Sequence, residues 1–172
     1  MAKSMDTVRP IWPKDISAFL QEGEAHHGPT DPGFSPGTIV TRDTAGNLVK
    51  ADLGATPVVT THYEIVWTDG VTRADANVNH VTPIAPATTV KRYTTFVCPL
   101  IADVKKTAFT DAAATGFIVV LDGAVPGALK TIADIDLAAA AGQELVVGQA
   151  WPSPIGNDWI RVKFVDSQVV GV

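Results

Sequence analysis

The sequence predicts a mainly β protein: a small β-barrel or sandwich body built as two related modules, preceded by an extended N-terminal arm with a short helix. Three observations carry that expectation. Charged residues make up only 18% of the chain, against about 25% in an average soluble domain. Thr, Val, Ala, Gly and Pro fill the deficit, a mixture suited to strands and turns. Turn signals recur at short intervals from Pro36 onward. Finally, in Trp159-Ile160-Arg161-Val162-Lys163-Phe164 apolar and polar residues alternate from Ile160 onward, the two-residue period of a half-buried strand. The length, 172 residues, suits one ordinary domain or two small modules that need each other.

Residues 1–35 form the expected arm, with Pro10, Pro13, Pro29 and Pro32 spread along it. Pro13 suits a first helical position, Ile16, Phe19 and Leu20 recur at i, i+3 and i+4, and Gly23 ends the pattern. One or two helical turns are therefore expected between Pro13 and Glu22. That stripe is too short to stand alone in water and must dock on its own body or on a neighbouring subunit. The β body then spans 36–172. Ile39-Val40 and Leu48-Val49 flank Thr44-Ala45-Gly46-Asn47, a hairpin. Strands follow at Pro57-Val58-Val59-Thr60-Thr61 and at His62-Tyr63-Glu64-Ile65-Val66-Trp67, the latter closed by Thr68-Asp69-Gly70. Asp75 to Asn79 reads as loop, Thr88 to Leu100 as a long strand or bent pair, and Asp111 to Thr115 as a helical turn or loop.

The second half echoes the first. Gly116-Phe117-Ile118-Val119-Val120-Leu121-Asp122 matches Gly37-Thr38-Ile39-Val40-Thr41-Arg42-Asp43, and Ala128-Leu129-Lys130 matches Leu48-Val49-Lys50. Glu144-Leu145-Val146-Val147 before Trp151 then matches Glu64-Ile65-Val66-Trp67. An internal duplication would divide the body into modules 36–100 and 101–172.

No catalytic, metal or cofactor site emerges from the motifs. Net charge is −5, and the only basic doublets of note, Lys91-Arg92 and Lys105-Lys106, fall short of the clustered cations that phosphate neutralisation needs. Nucleic acid is thus not an expected partner. Cys98, the single cysteine, excludes an internal disulfide and reads as a small buried hydrophobe in an apolar run. His26 and His27 lie near Glu22, Glu24 and Asp31, but adjacent histidines point apart on most backbones, so a polar loop is the simpler reading. His62 and His80 are isolated, and Asp134 and Asp136 read as solvated acids. Neither a Gly-x-Ser-x-Gly elbow nor a phosphate-cradling glycine loop is present. The N-terminus lacks a signal-peptide core and no stretch approaches the ~18–20 apolar residues of a membrane helix, so a cytoplasmic product, or one built into something assembled there, is expected.

Trp67, Trp151 and Trp159 sit in or beside strands and read as core anchors. Trp12 differs, because an aromatic ring in an irregular segment must be buried somewhere to offset the cost of ordering that segment. It packs back on the body or inserts into a neighbour.

From Pro36 to Val165 the order of these features resembles tailed-bacteriophage head decoration (cement) proteins. The phrase Pro36-Gly37-Thr38-Ile39-Val40 with Gly46-Asn47-Leu48-Val49-Lys50-Ala51-Asp52 carries the likeness, with Gln143-Glu144-Leu145-Val146-Val147-Gly148-Gln149-Ala150 and the Trp159–Phe164 strand. The resemblance implies a virion structural protein without enzymatic activity. It would bind the outside of a phage capsid at junctions between major capsid subunits, assemble as a homodimer or homotrimer, and sit on the capsid exterior. Trp12, Ile16, Phe19 and Leu20 are the expected contact residues. Two other readings stay open: another phage structural subunit of the tail tube or head–tail joint, or a glycan-binding module in which Trp67, Trp151 or Trp159 stacks on sugar.

Overall fold

The computed structural model describes residues 7–15, 17–52, 62–68, 70–72, 88–111, 116–133 and 144–170. Their strands form two antiparallel sheets. The first sheet has the order β2 (Leu20–His27), β7 (Thr89–Val97), β5 (Glu64–Val66), β3 (Ile39–Arg42) and β4 (Leu48–Lys50), with the short β6 (Val71–Thr72) added on β7. The second runs β1 (Val8–Trp12), β8 (Leu100–Lys105), β12 (Trp159–Val170), β11 (Glu144–Pro152), β9 (Ile118–Leu121) and β10 (Leu129–Ile132). A mainly β body with a small barrel is therefore what the chain forms: the five strands of the first sheet curl until β4 approaches β2, nearly closing it.

Without β1 and β6, the two orders are the same. Strands β2, β7, β5, β3, β4 correspond to β8, β12, β11, β9, β10, each module built on a hairpin whose first strand also pairs with the strand that follows the hairpin. The correspondence joins the segments that look alike in sequence. The modules meet at Cys98-Pro99, where the chain leaves β7 of one sheet and enters β8 of the other. Thr88 to Leu100 is thus a bent pair, and Pro99, with no N–H to donate, suits the break. The first module begins at Leu20, inside the segment expected to be an arm.

The helix expected between Pro13 and Glu22 does not form. Ser17–Phe19 is a single 3-10 turn, Ile16 lies outside the described residues, and β2 starts at Leu20. Gly23 does not stop anything; it is an inward position of that strand, followed by Ala25 and His27 at the same parity. Small residues hide the strand's period because Leu48 fills the space. A Cβ on Gly23 would lie 2.6 Å from the Leu48 Cγ, so the approach of β4 to β2 depends on the missing side chain.

The first sheet buries both faces. Val40, Leu48, Val66, Tyr93, Ala25 and Phe34 fill the barrel. Ile39, Ile65 and Phe96 turn the other way and join Val104, Val162 and Phe164 of the second sheet in the main core. Tyr63 ties the layers together, its hydroxyl 2.7 Å from the carbonyl oxygen of Val147 and 2.6 Å from that of Val165. Gly127 ties them at another point. Its N–H donates to Ala51 O and its carbonyl accepts from Ile39 N–H, both at 2.8 Å. It does so at φ 77° with a virtual Cβ only 2.8 Å from Thr38 Cγ2, a position that excludes other side chains.

Candidate binding surface

The polar groups that a sequence search singles out are spent on structure. His27 is buried, its Nδ1 2.9 Å from Asp31 Oδ2 and its Nε2 2.8 Å from the Tyr93 hydroxyl. Tyr93 in turn accepts the Phe34 N–H at 3.0 Å, and Lys91 Nζ donates to Pro32 O at 2.6 Å. The loop after β2 is thereby pinned to β7. Asp31 is held below the ordinary carboxylate value of 3.8, first by the Gly33 N–H and then by His27. His26 faces solvent, so the two histidines do point apart, but on a strand rather than in a polar loop.

Arg42 forks onto Glu64 at 2.6 and 3.0 Å, Thr95 donates its hydroxyl to the same carboxylate, and Arg42 also reaches Glu22 O on β2 at 3.2 Å. This network spans the barrel seam. On the second sheet, Asp103, only 2% exposed, accepts from Ser153 Oγ at 2.8 Å and from Arg161 Nε and Nη2 at 3.0 Å. The carboxylate raises the Arg161 pKa further above its usual value. Of the basic doublets, Lys91 is used as above and Arg92 lies 3.5 Å from Glu24 and 3.8 Å from Glu22. Among the described residues no three His, Cys, Asp or Glu side chains converge as a metal cage would require. No helix there is long and apolar enough to cross a membrane.

Large apolar side chains, by contrast, stand in solvent: Ile11, Trp12, Phe117, Val125, Trp151 and Ile155. Trp12 ends the edge strand β1, 51% exposed and in register with Ile101. Of the other expected contact residues, Phe19 is half-buried and Leu20 packs against the main core, while Ile16 lies outside the described residues. Only Trp12 presents an open ring. His80, Asp134, Asp136 and the strand expected over 57–61 also fall outside the described residues.

The tryptophans expected as core anchors separate into three environments. Trp67 packs on Phe96 and the main core, its Nε1 buried without a hydrogen-bond partner among the described residues. Trp159 is half-buried beneath the Arg9 guanidinium, 4.5 Å from the ring centroid. Trp151 does not anchor the core. It faces outward because β11 bulges between Val146 and Gly148, so Val147 and Ala150 both point inward and the parity beyond the bulge is reversed. Phe117 and Ile155 escape a motif search because nothing local marks them as exposed. Cys98 is half-buried against the main core.

With this geometry in place, comparison of the chain with protein-family models, with curated proteins and with solved structures finds no match.

Proposed function

We propose that the protein is a virion structural component that binds the outer surface of a phage capsid at junctions between major capsid subunits and stabilises the shell. One observation carries the reading: the buried titratable groups His27, Glu64 and Asp103 are engaged in internal pairs, while strands and turns hold large apolar side chains out in solvent. That division of labour fits adhesion better than catalysis. Low overall charge agrees with a surface partly covered by other subunits, its own copies included. The likeness of Pro36–Val165 to decoration modules supplies the shell as partner, and avidity across a symmetric lattice would turn modest single contacts into firm attachment.

The contacts would be made by side chains rather than by strand addition, since both edges of the second sheet are obstructed. Asp111 accepts the Thr131 N–H of β10 at 3.1 Å, and Thr110 N–H donates to Leu129 O at 2.8 Å. On the other edge, β1 carries Pro10 and an irregular register toward Trp12.

Co-sedimentation with empty shells tests the proposal. The full chain should saturate a fixed number of sites, and Trp12→Ala should weaken binding about thirtyfold, the effect of removing an interface anchor worth ~2 kcal/mol. Failure of the intact chain to bind shells would reject the reading.

A further inference from the structure

The outer end of the second sheet holds a groove of about 310 Å³, at the lower end of the ligand-pocket range. Its walls are Phe117 before β9, Trp151 at the end of β11, and Trp159 at the start of β12, with Lys106, Ser153 and Asn157 along the rim. The backbone around it is pre-formed. Ala150 N–H donates to Phe117 O at 2.8 Å, Lys106 N–H to Asp158 O at 2.9 Å, and Trp159 N–H to Gly156 O at 3.2 Å. Ser153, bonded to Asp103, accepts the Ile155 N–H at 3.3 Å and holds the turn after β11. A ligand would meet a shape that costs little to order.

The chemistry of the lining is mixed. Phe117 is 67% exposed and Trp151 37%, so two ring faces are open while Arg9 covers part of Trp159. The Asn157 amide and the Lys106 ammonium have no side-chain partner among the described residues. A purely apolar partner would strip water from those two groups and return nothing. A pyranose ring suits both demands: its C–H face lies against the negative face of an aromatic ring, and its hydroxyls meet the amide and the ammonium.

Charge narrows the class. By register, Arg9, Lys105, Arg161 and Lys163 share the outer face of this sheet, with Lys105 Nζ 5.5 Å from the Trp159 ring centroid. Asp103 faces the same way but is neutralised by Arg161, and Asp158 is the acid beside the groove among the described residues. On a chain of net charge −5, this cationic face is a local reversal, and it attracts anions.

We propose that the groove between Phe117, Trp151 and Trp159 is a binding site for an anionic saccharide, one bearing carboxylates as a uronic-acid oligomer does. Trp12 lies on this same outer face, in register with Ile101 and Lys163, but it does not line the groove, so saccharide titration of the groove is read apart from attachment to a shell.

Isothermal titration of the full chain with tetragalacturonate at low salt tests it, with maltotetraose as the neutral control and an oligothymidylate as the anionic non-sugar control. Tetragalacturonate should bind at least about tenfold more tightly than either control. Trp151→Ala and Phe117→Ala should each weaken binding about tenfold while unfolding stays cooperative, and Phe117→Ala, at a ring 67% exposed, should leave the midpoint nearly unchanged. Lys106→Gln should weaken it several-fold and reduce its dependence on salt. No heat at millimolar tetragalacturonate, equal binding of maltotetraose or of the oligothymidylate, or full affinity in Trp151→Ala would each overturn the proposal.

Discussion

Asp31, His27 and Tyr93 form a chain in which each group has a fixed role. An ionised Asp31 accepts from Nδ1–H, which leaves Nε2 to accept from the Tyr93 hydroxyl while that oxygen accepts the Phe34 N–H. The Gly33 N–H, 2.9 Å from Asp31 Oδ1, and His27 both favour the carboxylate, so its folded pKa lies below 3.8. Near that pH the unfolded chain binds more protons than the native one, and stability falls on acidification. The contribution is complete above 3.8 and is lost as pH falls through the lower folded value. Because Asp31 is 39% exposed, solvent screens it and the effect is modest. Urea unfolding at stepped pH should show wild type above Asp31→Asn at neutrality, with the gap closing below the ordinary carboxylate range.

At the scale of an element, the bulge in β11 decides what the second sheet shows to solvent. With regular alternation, Leu145, Val147, Gln149 and Trp151 would share one face. The residue of β11 that is extra against β9 places Leu145, Val147 and Ala150 inside and Gln149 and Trp151 outside. Deleting Val147 removes that residue and restores regular alternation with Leu145, Gly148 and Ala150 inside and Gln149 and Trp151 still outside, at the cost of the buried Val147 side chain. The expected result is a loss of about 2 kcal/mol or more, from the cavity left where Val147 packed, seen as a lowered urea midpoint with Trp151 still solvent-exposed by fluorescence quenching. A deletion that leaves the midpoint in place would show that the Val147 side chain is dispensable to the core, and one that buries Trp151 would show that the bulge does not set its facing.

For the whole molecule, the question is how two similar modules become one body. Phe96 of the first sheet and Phe164 of the second share one core, each side chain contributing on the order of 2–3 kcal/mol by burial. Tyr63 adds a polar tie, its hydroxyl lying within hydrogen-bond reach of the carbonyls of Val147 and Val165 and donating to one of them. Tyr63→Phe keeps the ring and removes the tie. Stability should drop by ~1–2 kcal/mol while cooperative unfolding is retained; two separate transitions would instead mark the hydroxyl as essential to coupling the modules.

Much of this architecture was legible locally. The hairpin of β3 and β4 follows from its turn: Asp43 accepts the N–H groups of Ala45 and Asn47 at 2.9 and 2.8 Å, and Gly46 adopts φ 86°. The alternation of β12 buries Ile160, Val162 and Phe164 as its pattern requires. The repeated sequence segments also occupy matching strands, although the first module takes its opening strand from residues 20–27. The binding surface was less legible. Trp151 and Trp159 were visible as aromatics but read as core, and Phe117 was an unremarkable member of a strand.

Alone, the sequence determined β structure, its turns and the pairing of similar segments, because side-chain period and turn chemistry act between residues a few positions apart. Only the tertiary structure decided that Gly23 and Ala25 belong to a strand, that the chain changes sheets at Cys98-Pro99, and that Trp151 faces solvent. Each of those depends on a distant partner, Leu48 filling the space at Gly23 or β9 and β12 flanking the bulge in β11. Local pattern carries no record of which distant surface will fill a gap or shift a register by one residue.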